Sequence, residues 1–206
     1  MAVFIDEILD DIDWRVAELA TIKTIPIKYN LNQNHKEVHI KYSIPAIYAL
    51  WEGFVKAAFT VYSNHLSRLN LKRTDIALNL LTHHIDTFCQ LQNPRNNFDS
   101  KRKVVSDLDF LFADIINIVP DVPTESNVNY KVLTGIMTRF CIDPIDDKYK
   151  KNLDKLLLFR NKIAHGENAL RVDSTHVSDF IKLVEDLMIE IVINIEKCEK
   201  SKTYIK

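Results

Sequence analysis

The chain has almost no glycine. Gly53, Gly135 and Gly166 are the only three in 206 residues, about 1.5% where soluble domains average ~7%. Few positions can then take left-handed turns at no steric cost, so a mostly helical chain with few tight turns is expected. A Gly-rich phosphate loop is excluded with them. Cysteine is equally sparse. Cys89, Cys141 and Cys198 are odd in number, far apart and without a CxxC. A disulfide framework and a zinc site are not expected, and a reducing, cytoplasmic compartment is. No apolar run approaches the ~18 residues of a membrane span, so no membrane association is expected. The start, Met1-Ala-Val-Phe-Ile-Asp-Glu, has acids where a secretory leader needs bases. Charge of one sign is also missing. Lys and Arg number 27 against 28 Asp and Glu, a net charge of −1. No global basic field draws in nucleic acid, so any polyanion site has to be local. Neither GxSxG nor HExxH occurs.

What is present is apolar periodicity. A 47% hydrophobic content over 206 residues supports one domain, 1–206, with a sizeable core. Helical spacing predicts a first helix over 2–22 and a long one that Ser43 caps and Pro45 opens, ending near 70. Between them, Ile25-Pro-Ile27-Lys-Tyr29 and Val38-His-Ile40-Lys-Tyr42 alternate around an Asn-rich run. This stretch, 25–42, reads as a small hairpin or a loop insertion. His35 and His39 lie in it as exposed histidines with no acid or cysteine cluster to make a metal site. Further helices are expected over about 75–92, 100–118, 129–140, 147–165 and 173–199, with a fraying tail at 197–206. In the helix over 75–92, His83 and His84 are adjacent, so one should pack inward and the other face water. The fold expected is all-α, an antiparallel helical bundle.

One helix breaks its own pattern. In Leu153-Asp-Lys-Leu-Leu-Leu-Phe-Arg160-Asn161-Lys-Ile-Ala-His165-Gly166 the core-facing set reads Leu153, Leu156, Leu157, Arg160, Ile163 and Ala164. Arg160 fills a slot meant for a hydrophobe, and burying a permanent charge is costly unless it is paired. Asn161 and His165 are four apart on the adjacent face. Arg160 and His165 are about 140° apart around the helix, a gap that an arginine stem can close. Gly166 is a natural stop. Upstream, Tyr48, Trp51 and Phe54 form part of an apolar stripe, and Gly53 permits close helix approach. Glu52 beside them either pairs with Arg160 or faces solvent.

Arg160-Asn161-Lys-Ile-Ala-His165-Gly166 resembles the Rx4-6H motif of the HEPN superfamily. Tyr48-Ala-Leu-Trp51-Glu52-Gly53-Phe54-Val55-Lys56 resembles the signature of its MAE-like standalone branch. The two segments lie in the expected order, more than a hundred residues apart. The resemblance implies a HEPN-like bundle and a metal-independent endoribonuclease acting as a homodimer. Two motifs then face each other in a composite cleft. Arg160 would bind phosphate and stabilise the transition state, His165 would transfer protons, and Asn161 would orient them. It also implies a toxin or anti-phage defence role, with an antitoxin or co-encoded defence protein as partner, and no cofactor. Some relatives only bind RNA or nucleotides or scaffold complexes, and a non-catalytic module is the alternative.

The residues support the same chemistry independently. An imidazole moves protons near neutral pH, while a guanidinium grips two phosphate oxygens and offsets developing charge. RNA brings its own nucleophile, the 2′-hydroxyl, so one Arg–His set doubled across a dimer could cleave it without metal.

Overall fold

One helix of 36 residues, α2 (Gln33–Arg68), receives most of the others. α1 (Val3–Lys28), α5 (Lys150–Ala164) and α6 (Ser174–Ser201) all pack along it, and two shorter helices, α3 (Leu78–Phe88) and α4 (Tyr130–Arg139), pack against each other. The computed structural model describes residues 3–88, 102, 115–124, 127–167 and 170–206. Among them it holds six α-helices and no strand, as an all-α reading requires. Most of the expected helix over 100–118, and Cys89, lie outside the described residues. The end of that stretch is extended, with Ile115 bridging Lys72 and the Ile116 amide donating to the Leu71 carbonyl.

The hydrophobic centre lies on α2. Tyr48, Trp51, Phe54, Phe59, Tyr62 and Leu66 are all buried, in one cluster with Leu19 of α1, Leu153 and Leu156 of α5 and Leu187 of α6. By composition α2 is long and apolar enough to cross a bilayer. Half of its most apolar 18-residue window is nevertheless buried inside the bundle, as befits a core helix.

Residues 25–28 and 33–42 are helical and only 29–32 turn between them, which corrects the hairpin or loop insertion expected over the whole stretch. α1 continues to Lys28 with Pro26 in its last turn, and α2 begins at Gln33. Proline has no N–H to give to the carbonyl four residues back. That carbonyl belongs to Ile22, and it accepts instead from His39 Nε2 of α2 at 2.9 Å. The Asn-rich run supplies termination and capping. Asn30 adopts φ +44, and the Asn32 side chain accepts from the His35 amide to cap α2. Ser43 therefore lies inside α2, where its hydroxyl donates to the His39 carbonyl. Alternating hydrophobicity misled here because both short stretches sit at helix ends, where one wet face produces the same pattern.

Two further expectations change. The C-terminal segment docks: Tyr204 is buried, its carbonyl accepts from the Ala77 amide, and the Lys206 amide donates to the Asp75 carbonyl. His83 and His84 are both buried, because α3 is covered from more than one side. Burial lowers the pKa of both.

α1 carries a charge that the periodicity hides. Arg15, only 7% exposed, takes the inward slot between Ile12 and Leu19. Asp11 accepts from its Nε at 2.7 Å and its Nη2 at 3.2 Å, and the Leu50 carbonyl of α2 accepts from Nη1 at 2.9 Å. Gly53 makes the room, since a Cβ there would lie 2.9 Å from Arg15 Nη1. Gly53→Ala is expected to cost about 1–3 kcal/mol of stability through overpacking. Gly135→Ala, exposed inside α4 with nothing within 4 Å of its Cβ, should gain about 0.5–1 kcal/mol from helix propensity. Urea denaturation of both variants measures the contrast.

Candidate active site

The motif helix α5 is defined at both ends by its own residues. Asp146 accepts from the Lys148 amide at 2.8 Å and starts a 3₁₀ turn, Asp147–Tyr149, that runs into α5. At the far end the Gly166 amide donates to the Ile163 carbonyl and the Glu167 amide to the Lys162 carbonyl, both at 3.0 Å. With Gly166 at φ +76, this pair of bonds is a Schellman stop. His165 is the last residue before it, so the imidazole leaves the helix at a defined point. Leu153, Leu156, Phe159 and Ile163 are buried, whereas Ala164 is exposed. Phe159 takes the inward place expected of Ala164, packing its ring on Phe180 and His176 of α6.

Arg160 is half-buried. Its Nη1 donates to Asn161 Oδ1 at 2.8 Å, and its guanidinium carbon lies 5.1 Å from the centre of the Tyr48 ring. The charge is therefore held by an amide and an aromatic face. No carboxylate lies within 4.0 Å of Arg160 among the described residues, Glu52 included. Arg15 offers the contrast, with Asp11 bound to two of its nitrogens. Arg160 thus keeps an uncompensated positive charge at a partly open position, which suits a phosphate. His165 is exposed, and among the described residues its imidazole has no bonding partner. The structure joins Arg160 to Asn161 and Tyr48, and it leaves His165 unbonded at the end of the same helix.

The upstream segment proves to be the seat of that arginine. Trp51 is buried and its Nε1 donates to the Val128 carbonyl at 3.0 Å, which fixes the register of α2 against the chain before α4. One turn earlier, Tyr48 presents its ring to Arg160. The Tyr48 hydroxyl is enclosed without a hydrogen bond of good geometry. Burial first, and the negative charge of Glu52 second, push its pKa up to about 12 against the opposing pull of the Val128 amide and Arg160. Tyr48 therefore stays a neutral platform. Glu52 is half-buried on the same helix. It acts on the Tyr48 hydroxyl and not as the ion-pair partner of Arg160.

Other histidines are structural. His39 answers the Pro26 gap, His35 packs beside its Asn32 cap, and His83 Nε2 donates to the Val119 carbonyl at 3.3 Å. Among the described residues no three His, Cys, Asp or Glu side chains gather as a metal site. Sequence reasoning missed Tyr48 as the support of Arg160. It also missed Arg15, although an Asp four residues before an Arg inside an apolar stripe was a readable signal.

The family model described as HEPN_MAE_28990/-like HEPN matches residues 4–204, and so covers both motif segments and every helix that carries them. No curated protein and no solved structure matches the chain.

Replacing Tyr48 separates its ring from its hydroxyl. Tyr48→Phe should leave stability unchanged or slightly raised, since it removes an enclosed, unbonded hydroxyl. Tyr48→Leu should cost about 2–4 kcal/mol through lost packing and lost cation–π contact. Thermal melts of the two variants side by side make the comparison.

Proposed function

Since the chain belongs to the MAE-like HEPN family, we propose that it is an endoribonuclease whose active site is formed by Arg160, Asn161 and His165 of two copies. The family implies RNase or nucleotide-binding chemistry in general. The observation that carries the finer reading is the pairing of two unspent groups at the end of α5. Among the described residues, one is a guanidinium held by Tyr48 and Asn161 with no acid to cancel it, and the other is an exposed, unbonded imidazole. A structural Arg–His pair would be expected to have its bonds made within the chain, as Arg15 does.

In this reading Arg160 binds the non-bridging oxygens of a phosphodiester. One His165 takes the proton from the RNA 2′-hydroxyl, which attacks the adjacent phosphorus. The bond to the 5′-oxygen breaks, and the second copy's protonated imidazole gives that oxygen a proton. The products are a 2′,3′-cyclic phosphate and a 5′-hydroxyl. Asn161 steadies the guanidinium. A dimer supplies both imidazoles at once. Leu158, 51% exposed, lies seven residues before His165 and so almost on the same line of α5. This exposed apolar side chain on the His165 side of α5 suits a contact with a second copy. On family grounds alone the reading extends to a cytoplasmic toxin or anti-phage effector restrained by an antitoxin or a co-encoded partner.

The test is cleavage of single-stranded and structured RNA in EDTA. Wild type should cut and leave cyclic-phosphate ends, while Arg160→Ala and His165→Ala should each lose about 10²–10⁴-fold in rate. Sedimentation should show a dimer at the working concentration. Cleavage that survives either substitution overturns the mechanism, and a stable monomer that still cleaves overturns the composite cleft. A wild type that binds RNA without cutting it leaves the non-catalytic module as the reading.

A further inference from the structure

Beyond the motif stop, residues 170–174 lie beside the start of α2, and the two enclose a groove of about 670 Å³. One wall is the start of α2, Gln33 to Lys41, including Lys36. The other is the strap 170–174, including Arg171. The groove adjoins the candidate active site, since Lys41 Nζ donates to the Glu167 carbonyl at 3.4 Å. Glu167 is two residues from His165, at most about 7 Å of chain.

The charges in this groove are unequal in what they have left to do. Its two acids are engaged nearby. Glu37 accepts from Gln33 Nε2, and Asp173 accepts from the His176 amide at 3.0 Å and pairs with the His176 ring at 2.8 Å. Lys41 is engaged with the Glu167 carbonyl. The side chains of Lys36 and Arg171 have no bonding partner among the described residues. One uncommitted cation thus faces the groove from each wall, in a chain whose net charge is only −1. A second, smaller cavity of about 210 Å³ shares Lys36, Ile40 and Ser174 with this one and adds Lys23 of α1. The basic track therefore continues away from the motif. Among the described residues no aromatic lines the larger groove, so they offer no base-stacking surface there. What the lining can recognise is a chain of phosphates at any sequence.

We propose that the groove between Lys36 and Arg171 is the track that holds the backbone of single-stranded RNA on its way to Arg160 and His165. RNA as the ligand rests on the ribonuclease reading; the groove and its free cations do not. The site would contribute affinity and leave sequence choice to elsewhere.

Binding is measured apart from cleavage with a fluorescein-labelled 2′-O-methyl RNA 12-mer, whose blocked 2′-oxygen cannot react. Anisotropy titrations over a range of salt compare wild type with Lys36→Ser/Arg171→Ser. Lys197→Ser/Lys200→Ser is the control, removing the same charge at the other end of α6, about 40 Å away by helix rise. The groove variant should bind about tenfold more weakly at moderate salt. Its log–log salt slope should be shallower by about 1.4, for two lost phosphate contacts at ~0.7 each. The control should bind as wild type does. A groove variant no weaker than the control, or a wild type with no affinity for the oligonucleotide, overturns the proposal. The outcomes separate the two readings. Groove-dependent binding by a protein that never cleaves RNA keeps the track and removes the nuclease. Cleavage dependent on Arg160 and His165 with groove-independent binding does the reverse.

Discussion

Two guanidinium groups bear on the same two turns of α2, and the bundle is arranged to receive both. Arg15 comes from α1 and reaches the Leu50 carbonyl over the bare backbone of Gly53. Arg160 comes from α5 and lies over the Tyr48 ring. A guanidinium cannot shed its proton to escape burial, so each site had to be shaped around a permanent charge. Trp51 lies between them and pins α2 to the Val128 carbonyl. The segment Tyr48–Gly53 is thus a socket with two charged inserts, and its residue types follow from that job.

The two inserts differ in how their charge is met. Arg15 is enclosed and carries Asp11 with it from the same helix, so its field is cancelled where it arises. Among the described residues Arg160 has only an amide oxygen and a π-face, neither of which bears a net charge. The ring and the amide hold it in place at low cost, while its attraction for an anion is preserved. Glu52, the acid that the sequence offered as a partner, influences the Tyr48 hydroxyl and makes no ion pair with Arg160. Had it done so, the pair would have been self-contained and the position poorly suited to phosphate.

The geometry of the helix end matters as much as the charge. A Schellman stop at Gly166 ends α5 at His165, and residues 170–174 lie beside the start of α2. The stop that frees the imidazole thus comes just before one wall of the basic groove. A near-neutral protein can in this way place its positive potential along one edge, where a global excess would attract polyanions indiscriminately.

Much of this was readable from residues alone. Helical periodicity with three glycines announced an all-α bundle. Arg160 stood out because it interrupts an apolar stripe, and Gly166 because glycine ends a helix in the left-handed region at no steric cost. Those are local matters, set by side-chain spacing and backbone sterics within a few residues. The partner of each charge was not local. Glu52 and Tyr48 are equally near Arg160 in sequence terms, and only the rotation of α2 against α5 puts the ring, and not the carboxylate, under the guanidinium. The helical state of residues 25–28 and 33–42 belongs to the same class, because the carbonyl that Pro26 orphans is answered by His39 from the next helix. Sequence by itself determined the elements, the odd arginine and the stop beside His165. Tertiary structure alone decided which groups are spent on one another and which remain free, since hydrogen bonds and ion pairs between helices depend on relative rotations that no single stretch encodes.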